Sequence, residues 1–192
     1  MISLFIGGAR SGKSTLAEAF ICAQATKAQQ QITYVATAQA EPSMKQRIDL
    51  HQQRRPISWH LIEEPFDLVS LLIANQYSHQ WLIIDCLTLW LTNHLIVGND
   101  LNRQISKLID GLKQTQANVV LVSTETGLSL VPKDSISQQF VIASGALHQA
   151  VATNADNVIF CQAGLANVLK GSDYYQFNST VLAARSAQEA LC

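Results

Sequence analysis

The chain has almost no excess charge, no paired cysteines, no long apolar run and no repetition, and each absence removes a class of protein. Net charge is −1 over 192 residues, so there is no basic footprint for nucleic acid or for an anionic membrane surface. No apolar run approaches the roughly 18 residues that a bilayer span needs. Cys22, Cys86, Cys161 and Cys192 lie far apart and form no C-x-x-C pair. That argues against a zinc site or a disulfide framework and for buried free thiols in a reducing cytoplasm. The chain enters an apolar run at its second residue, so no cleavable leader is expected and the expected location is cytoplasmic. No internal repeat, low-complexity linker or charge block interrupts it.

What is present is an apolar, ordinary globular composition, with 48% hydrophobic and 14% charged residues. Short apolar runs at 2–6, 32–36, 81–86, 119–123 and 158–161 alternate with helix-like segments near 14–28, 42–54, 65–76, 87–96, 101–116 and 134–155. Strands apolar on both faces and separated by helices predict an α/β protein, a mostly parallel sheet with helices on both faces. Ligands of such sheets bind beyond the carboxyl ends of the strands. One catalytic domain is expected over 1–171. From Gly171 the periodicity weakens, and 172–192 reads as a tail with a short helix near 180–191.

Gly7-Gly8-Ala9-Arg10-Ser11-Gly12-Lys13-Ser14 fills the pattern G-x-x-x-x-G-K-[ST] between a strand signal and a helix signal. In that frame the glycines let successive N–H groups turn around an anion, and the following helix adds partial positive charge. Lys13 would reach the β- and γ-phosphates, and Ser14 would hold Mg²⁺. A second signal is Trp81-Leu82-Ile83-Ile84-Asp85, an apolar strand ending in a carboxylate that could share the Mg²⁺. The alternative role of Asp85 is an N-cap for the helix starting near Leu87.

A third element runs from Arg47 to Pro56. Pro42 suits the first turn of a helix and Pro56 stops it. At about 100° per residue Met44, Ile48 and His51 share one face, which aims His51 at the protein body. A neutral imidazole beside a triphosphate can attack phosphorus and form a phosphoramidate, with Arg47, Arg54 and Arg55 stabilising the transferring group. The residues alone leave open a half-buried core histidine ringed by solvated arginines.

The order of blocks resembles the adenosylcobinamide kinase/adenosylcobinamide-phosphate guanylyltransferase family of cobalamin biosynthesis. The likeness starts at Gly7–Ser14 with Ala17-Glu18, then continues through Tyr34-Val35-Ala36-Thr37-Ala38, Arg47-Ile48 with His51, Arg55-Pro56, Trp59 and Glu63-Glu64-Pro65. It runs on through Asp85-Cys86-Leu87-Thr88-Leu89-Trp90-Leu91-Thr92-Asn93, Glu125-Thr126-Gly127, Val131-Pro132, Ala155-Asp156, Ala163-Gly164-Leu165 and Leu169-Lys170-Gly171. The resemblance implies a P-loop NTPase-like fold and two activities. ATP or GTP phosphorylates the aminopropanol hydroxyl of adenosylcobinamide, and GMP is then transferred from GTP to that phosphate through a guanylylated histidine. It makes His51 the nucleophile, puts the phosphates on Gly7–Ser14, and lines the nucleotide site with Ala36, Thr37 and Ala38. Gln52, Gln53, Arg54, Arg55 and Glu63 would flank the nucleotide, Asp85 would keep its acidic role, and the assembly would be a homo-oligomer, a trimer.

One block departs from the family pattern. A charged Arg-Asp pair, a glycine and Asn-Gln are usual after Phe140, but here the chain reads Val141-Ile142-Ala143-Ser144-Gly145-Ala146-Leu147-His148-Gln149. The departure bears on the corrinoid step and on assembly, and His148 is not expected to be catalytic. His60, His79 and His94 read as ordinary core or surface residues. Two rival readings are a plain P-loop small-molecule kinase with a structural His51, and a GTP-binding regulatory module that has lost its chemistry.

Overall fold

A computed structural model describes residues 1–39, 59–74, 77–130 and 132–171. The predicted helix at 42–54, with His51, and the tail from 172 lie outside the described residues.

The apolar runs become strands β1 (Ile2–Gly7), β2 (Ile32–Ala36), β4 (Trp81–Asp85), β5 (Asn118–Thr124) and β6 (Asn157–Gln162). Two edge strands join them, β3 (His60–Glu63) and β7 (Leu165–Lys170), and the order across the sheet is β3-β2-β4-β5-β1-β6-β7. Every neighbouring pair is parallel except β6–β7, which is antiparallel. The helices are α1 (Lys13–Ala28), α2 (Leu68–Ile73), α3 (Leu87–Ile96), α4 (Leu101–Gln114) and α5 (Ser135–Asn154).

Strand alternation splits the core in two. Leu4, Ile6, Leu82, Ile84, Val119 and Leu121 pack on one face against α2 to α5. Phe5, Ile83, Val120, Val122 and Ile159 pack on the other against Leu16, Phe20 and Ile21 of α1. Helices on both faces thus bury a sheet whose central strands are mostly apolar, with Ser3, Thr33 and Ser123 as buried polar exceptions. Full burial of each Leu or Ile contributes about 1.5–3 kcal/mol.

The helix starts differ in a way that matters for function. Asp67, Asp100 and Asp134 cap α2, α4 and α5 by accepting from the N–H of Ser70, Arg103 and Ser137. The starts of α1 and α3 have no side-chain cap. Both follow the carboxyl ends of strands, β1 and β4, on the sheet edge where a ligand is expected. The first N–H groups of α1 have no partner within the helix and are suited to an anion.

Candidate nucleotide site

The parallel register gathers most of the predicted residues on one edge. Ala36 pairs with Asp85 on one side and with Glu63 on the other, and Gly7 pairs with Thr124. Phosphate loop, Ala36–Ala38, Glu63 and Asp85 therefore all stand at carboxyl ends of β1, β2, β3 and β4. Gln52, Gln53, Arg54 and Arg55, like His51, are outside the described residues.

The loop is tied to the rest of the chain at two points and closed once on itself. The Gly7 carbonyl accepts from the Glu125 N–H at 3.0 Å, tying it to the end of β5. The Ser11 carbonyl accepts from the Gly164 N–H at 2.9 Å, tying it to the β6–β7 turn, and the Ser11 N–H donates to the Gly8 carbonyl at 3.3 Å. Gly12 begins α1 at φ 90°, a left-handed conformation natural to glycine. Ala9 and Arg10 are exposed, whereas Lys13 and Ser14 are half-buried. Lys13 donates from Nζ to the Gly8 carbonyl at 3.2 Å, which lays its charge across the loop. The Ser11 hydroxyl is buried with no hydrogen-bond partner among the described residues.

Asp85 does not cap α3; that position falls to Cys86. Its Oδ2 instead accepts from the Tyr34 hydroxyl at 2.9 Å, which orients the carboxylate at the strand end. Thr37 is fully buried. Its hydroxyl donates to the Cys86 carbonyl at 2.7 Å and accepts from the Cys86 N–H at 2.8 Å. Asn93 of α3 then donates to the carbonyls of Thr37 and Pro65 at 2.9 and 3.0 Å, linking the ends of β2 and β3. Thr37 is therefore a brace, its main chain tied to Asp85 and Asn93 and its side chain to Cys86. Thr37→Val keeps the shape and strands the buried Cys86 N–H, while the Cys86 carbonyl keeps the Trp90 N–H at 3.2 Å. It is expected to cost about 1–3 kcal/mol, read as a lower denaturant midpoint at unchanged slope.

Cys161 is buried, and Cys22 and Cys86 are half-buried; all three are free thiols. Burial pushes Cys22 and Cys86 up to about 11, with Glu18 and Asp85 adding to the rise, and pushes Cys161 up to about 12. None is a thiolate at neutral pH. His94 is buried between the rings of Trp90 and Phe66, and His60 is exposed. His148 is different. It is buried against Ser123 and Glu125 beside the loop, and only the departure in the 141–149 block marked it in the sequence. Tyr34 and Asn93 lay inside the recognised blocks, but nothing in their residue type disclosed the bracing role.

Among the described residues no group of three His, Cys, Asp or Glu could cage a metal, and no helix is long and apolar enough to cross a membrane. A hydroxyl and a carboxylate beside a phosphate loop are the donor set Mg²⁺ uses when phosphate oxygens and water complete its shell.

A mostly parallel sheet with a strand–glycine loop–helix unit at β1 and a carboxylate two strands away, at the end of β4, defines an α/β protein of the P-loop NTPase-like class. The fold is shared by the flagellar accessory protein FlaH from Methanocaldococcus jannaschii, with a TM-score of 0.50 at 12% identity over 89% of this chain and 78% of that one. The chain belongs to the cobinamide kinase / cobinamide phosphate guanyltransferase family, which it matches over residues 3–169. It is 41% identical to the bifunctional adenosylcobalamin biosynthesis protein CobP of Pseudomonas aeruginosa, over 89% of this chain and 98% of that protein. It is 32% identical to the bifunctional adenosylcobalamin biosynthesis protein CobU of Escherichia coli, over 88% of this chain and the whole of that protein.

Proposed function

We propose that this chain phosphorylates adenosylcobinamide with ATP or GTP and then transfers GMP from GTP to adenosylcobinamide phosphate. The observation that carries the reading is the convergence of Gly7–Ser14, Asp85 and Glu63 on one sheet edge, in a chain whose family match spans residue 51. In the first reaction the substrate hydroxyl attacks the γ-phosphorus, and Lys13 balances charge on the leaving diphosphate. In the second, a nitrogen of His51 attacks the α-phosphorus of GTP and pyrophosphate leaves. The phosphate oxygen of the substrate then attacks the same phosphorus, which frees the imidazole and forms the diphosphate bridge.

Ser14 and Asp85 would hold Mg²⁺, which supplies charge neutralisation on the phosphates. Arg54 and Arg55 would steady the transferring group, while Gln52, Gln53, Ala36, Ala38 and Glu63 flank the nucleotide. Free, protonated thiols fit a cytoplasmic setting. Exposed Leu128, Leu130, Ile136 and Ile142 support a homo-oligomer, a trimer on the family resemblance.

The test uses GTP labelled at the α-phosphate. Wild-type protein with Mg²⁺ should retain acid-labile, base-stable label that His51→Ala abolishes, while γ-phosphate transfer to adenosylcobinamide persists. Folded wild-type protein that takes no label sinks the guanylyl-histidine route and leaves a plain kinase. GTP binding without either transfer leaves a regulatory module.

A further inference from the structure

Beside the phosphate loop lies a buried polar chain that the two reactions do not use. His148 of α5 meets the Ser123 hydroxyl through Nε2 at 2.7 Å. The Ser123 hydroxyl meets that of Thr88 on α3 at 3.3 Å, and Thr88 Oγ1 accepts from the Thr124 N–H at 2.6 Å. On its other side, His148 Nδ1 lies 3.6 Å from Glu125 Oε2, an electrostatic pairing longer than a good hydrogen bond. Ser123 is fully buried and His148 is 8% exposed. The geometry looks like a nucleophile triad, but a hydroxyl with no solvent access cannot meet a substrate.

The direction of the chain follows from the groups in it. A carboxylate only accepts, so the ring proton sits on Nδ1, facing Glu125. Nε2 must then accept from Ser123, and Ser123 accepts from Thr88, whose oxygen takes the Thr124 N–H. Every donor finds one acceptor. Burial holds the imidazole below its ordinary protonation range, with Glu125 opposing more weakly. Glu125 is the one ionisable group among the described residues whose charge acts on the ring; Ser123 from β5 and Thr88 from α3 face it with hydroxyls.

Glu125 is also the residue whose N–H holds the Gly7 carbonyl. We propose that His148 is a positioning residue which, by bridging Ser123 and Glu125, fixes the end of β5 and through it the entry of the phosphate loop. This rests on the reading that the loop grips a triphosphate. Protonation would give Nε2 a proton it must donate to Ser123. Ser123 must then turn its own proton on Thr88, so the chain reverses: Thr88 can still accept from the Thr124 N–H, but its own proton loses Ser123 as acceptor and the chain is disturbed at the end of β5.

The test measures binding of a non-hydrolysable GTP analogue to the full-length protein and to His148→Ala and His148→Asn, from about pH 4.5 to 8, a range carried to the acid side because burial moves this ring below the ordinary histidine range. Alanine is expected to weaken binding about tenfold at neutral pH. Asparagine, whose amide nitrogen takes the place of Nδ1 toward Glu125, is expected to recover most of that loss. Wild-type affinity should fall toward the acid end, and that fall should be absent in His148→Asn. Ring-nitrogen NMR should show the proton on Nδ1. Wild type that binds nothing overturns the nucleotide reading and this proposal together. Wild type that binds, with folded His148→Ala binding equally well at every pH, overturns this proposal alone. Should His148→Ala not fold, the pH profile of His148→Asn decides: an acid limb identical to wild type overturns the proposal.

Discussion

Lys13→Ala is expected to lower both phosphoryl transfer and guanylyl transfer by about 10²–10³-fold, with the thermal midpoint unchanged. Lys13 is the first residue of α1, half-buried, with its ammonium lying over the loop against the Gly8 carbonyl. Among the described residues its side chain makes one hydrogen bond, to the loop's own Gly8 carbonyl, so its removal should leave the fold alone. The functional loss comes from charge. A triphosphate gathers negative charge at its bridging oxygens as either phosphorus is attacked, and a lysine at the loop is the protein's own cation for that position. Both reactions should fall together, because one loop is proposed to hold the triphosphate in each. Lys13→Arg should rescue neither, since a planar fork cannot replace a compact point charge inside a tight loop. The measurements are γ-label transfer to adenosylcobinamide and pyrophosphate release from GTP with adenosylcobinamide phosphate present. Guanylyl transfer at the wild-type rate in Lys13→Ala would place its triphosphate elsewhere.

The parts of the fold that the sequence discloses are those where burial writes a pattern. The five interior strands are apolar on both faces, and each was legible as an unbroken run within one or two residues of its observed ends. The two missed strands, β3 and β7, are edges. His60, Leu61 and Glu63 are exposed in β3, and Leu165, Asn167, Leu169 and Lys170 are not buried in β7. An edge strand is specified by main-chain pairing to its neighbour, which side chains do not announce. The helix expected at 65–76 is shorter, Leu68–Ile73, because Asp67 caps it and Glu64 takes the N–H groups of Phe66 and Asp67. At the site, Gly7–Ser14 and Asp85 could be located because phosphate and metal chemistry demands particular residue types at particular spacings. Tyr34 holding Asp85, Thr37 clipping Cys86 and His148 bridging Ser123 to Glu125 were not legible, since each joins positions far apart in sequence.

Gly7→Ala should be strongly damaging although it adds a single methyl. Gly7 is buried at the end of β1, one residue beyond the last pair of that strand with β6, Ile6 with Phe160. A Cβ there would collide with the Cys161 carbonyl oxygen, and would come to 2.7 Å from the Ser11 hydroxyl and 3.1 Å from the Cys161 carbonyl carbon. Main chain on a central ladder cannot swing aside as a side chain can. Either β6 shifts and gives up its pairing with β1, or the loop lifts from the sheet and releases the Glu125 N–H. Overpacking of this kind costs about 1–3 kcal/mol or more, a fall in melting temperature of about 2–4 °C per kcal/mol for a chain of this size. The same displacement spoils the cradle, so nucleotide affinity should fall with stability. Gly8 provides the contrast. A Cβ at Gly8 meets nothing within 4 Å, so Gly8→Ala should leave the melting temperature within about a degree or two of wild type, as substitutions clear of any packing constraint do. Equal melting temperatures for the two variants would mean that β1 and β6 are not held as closely at Gly7 as the contact with Cys161 requires. The first glycine of the loop would then be needed for the phosphate alone, whereas a selective loss at Gly7 assigns it a second task, letting the central strands close behind the nucleotide.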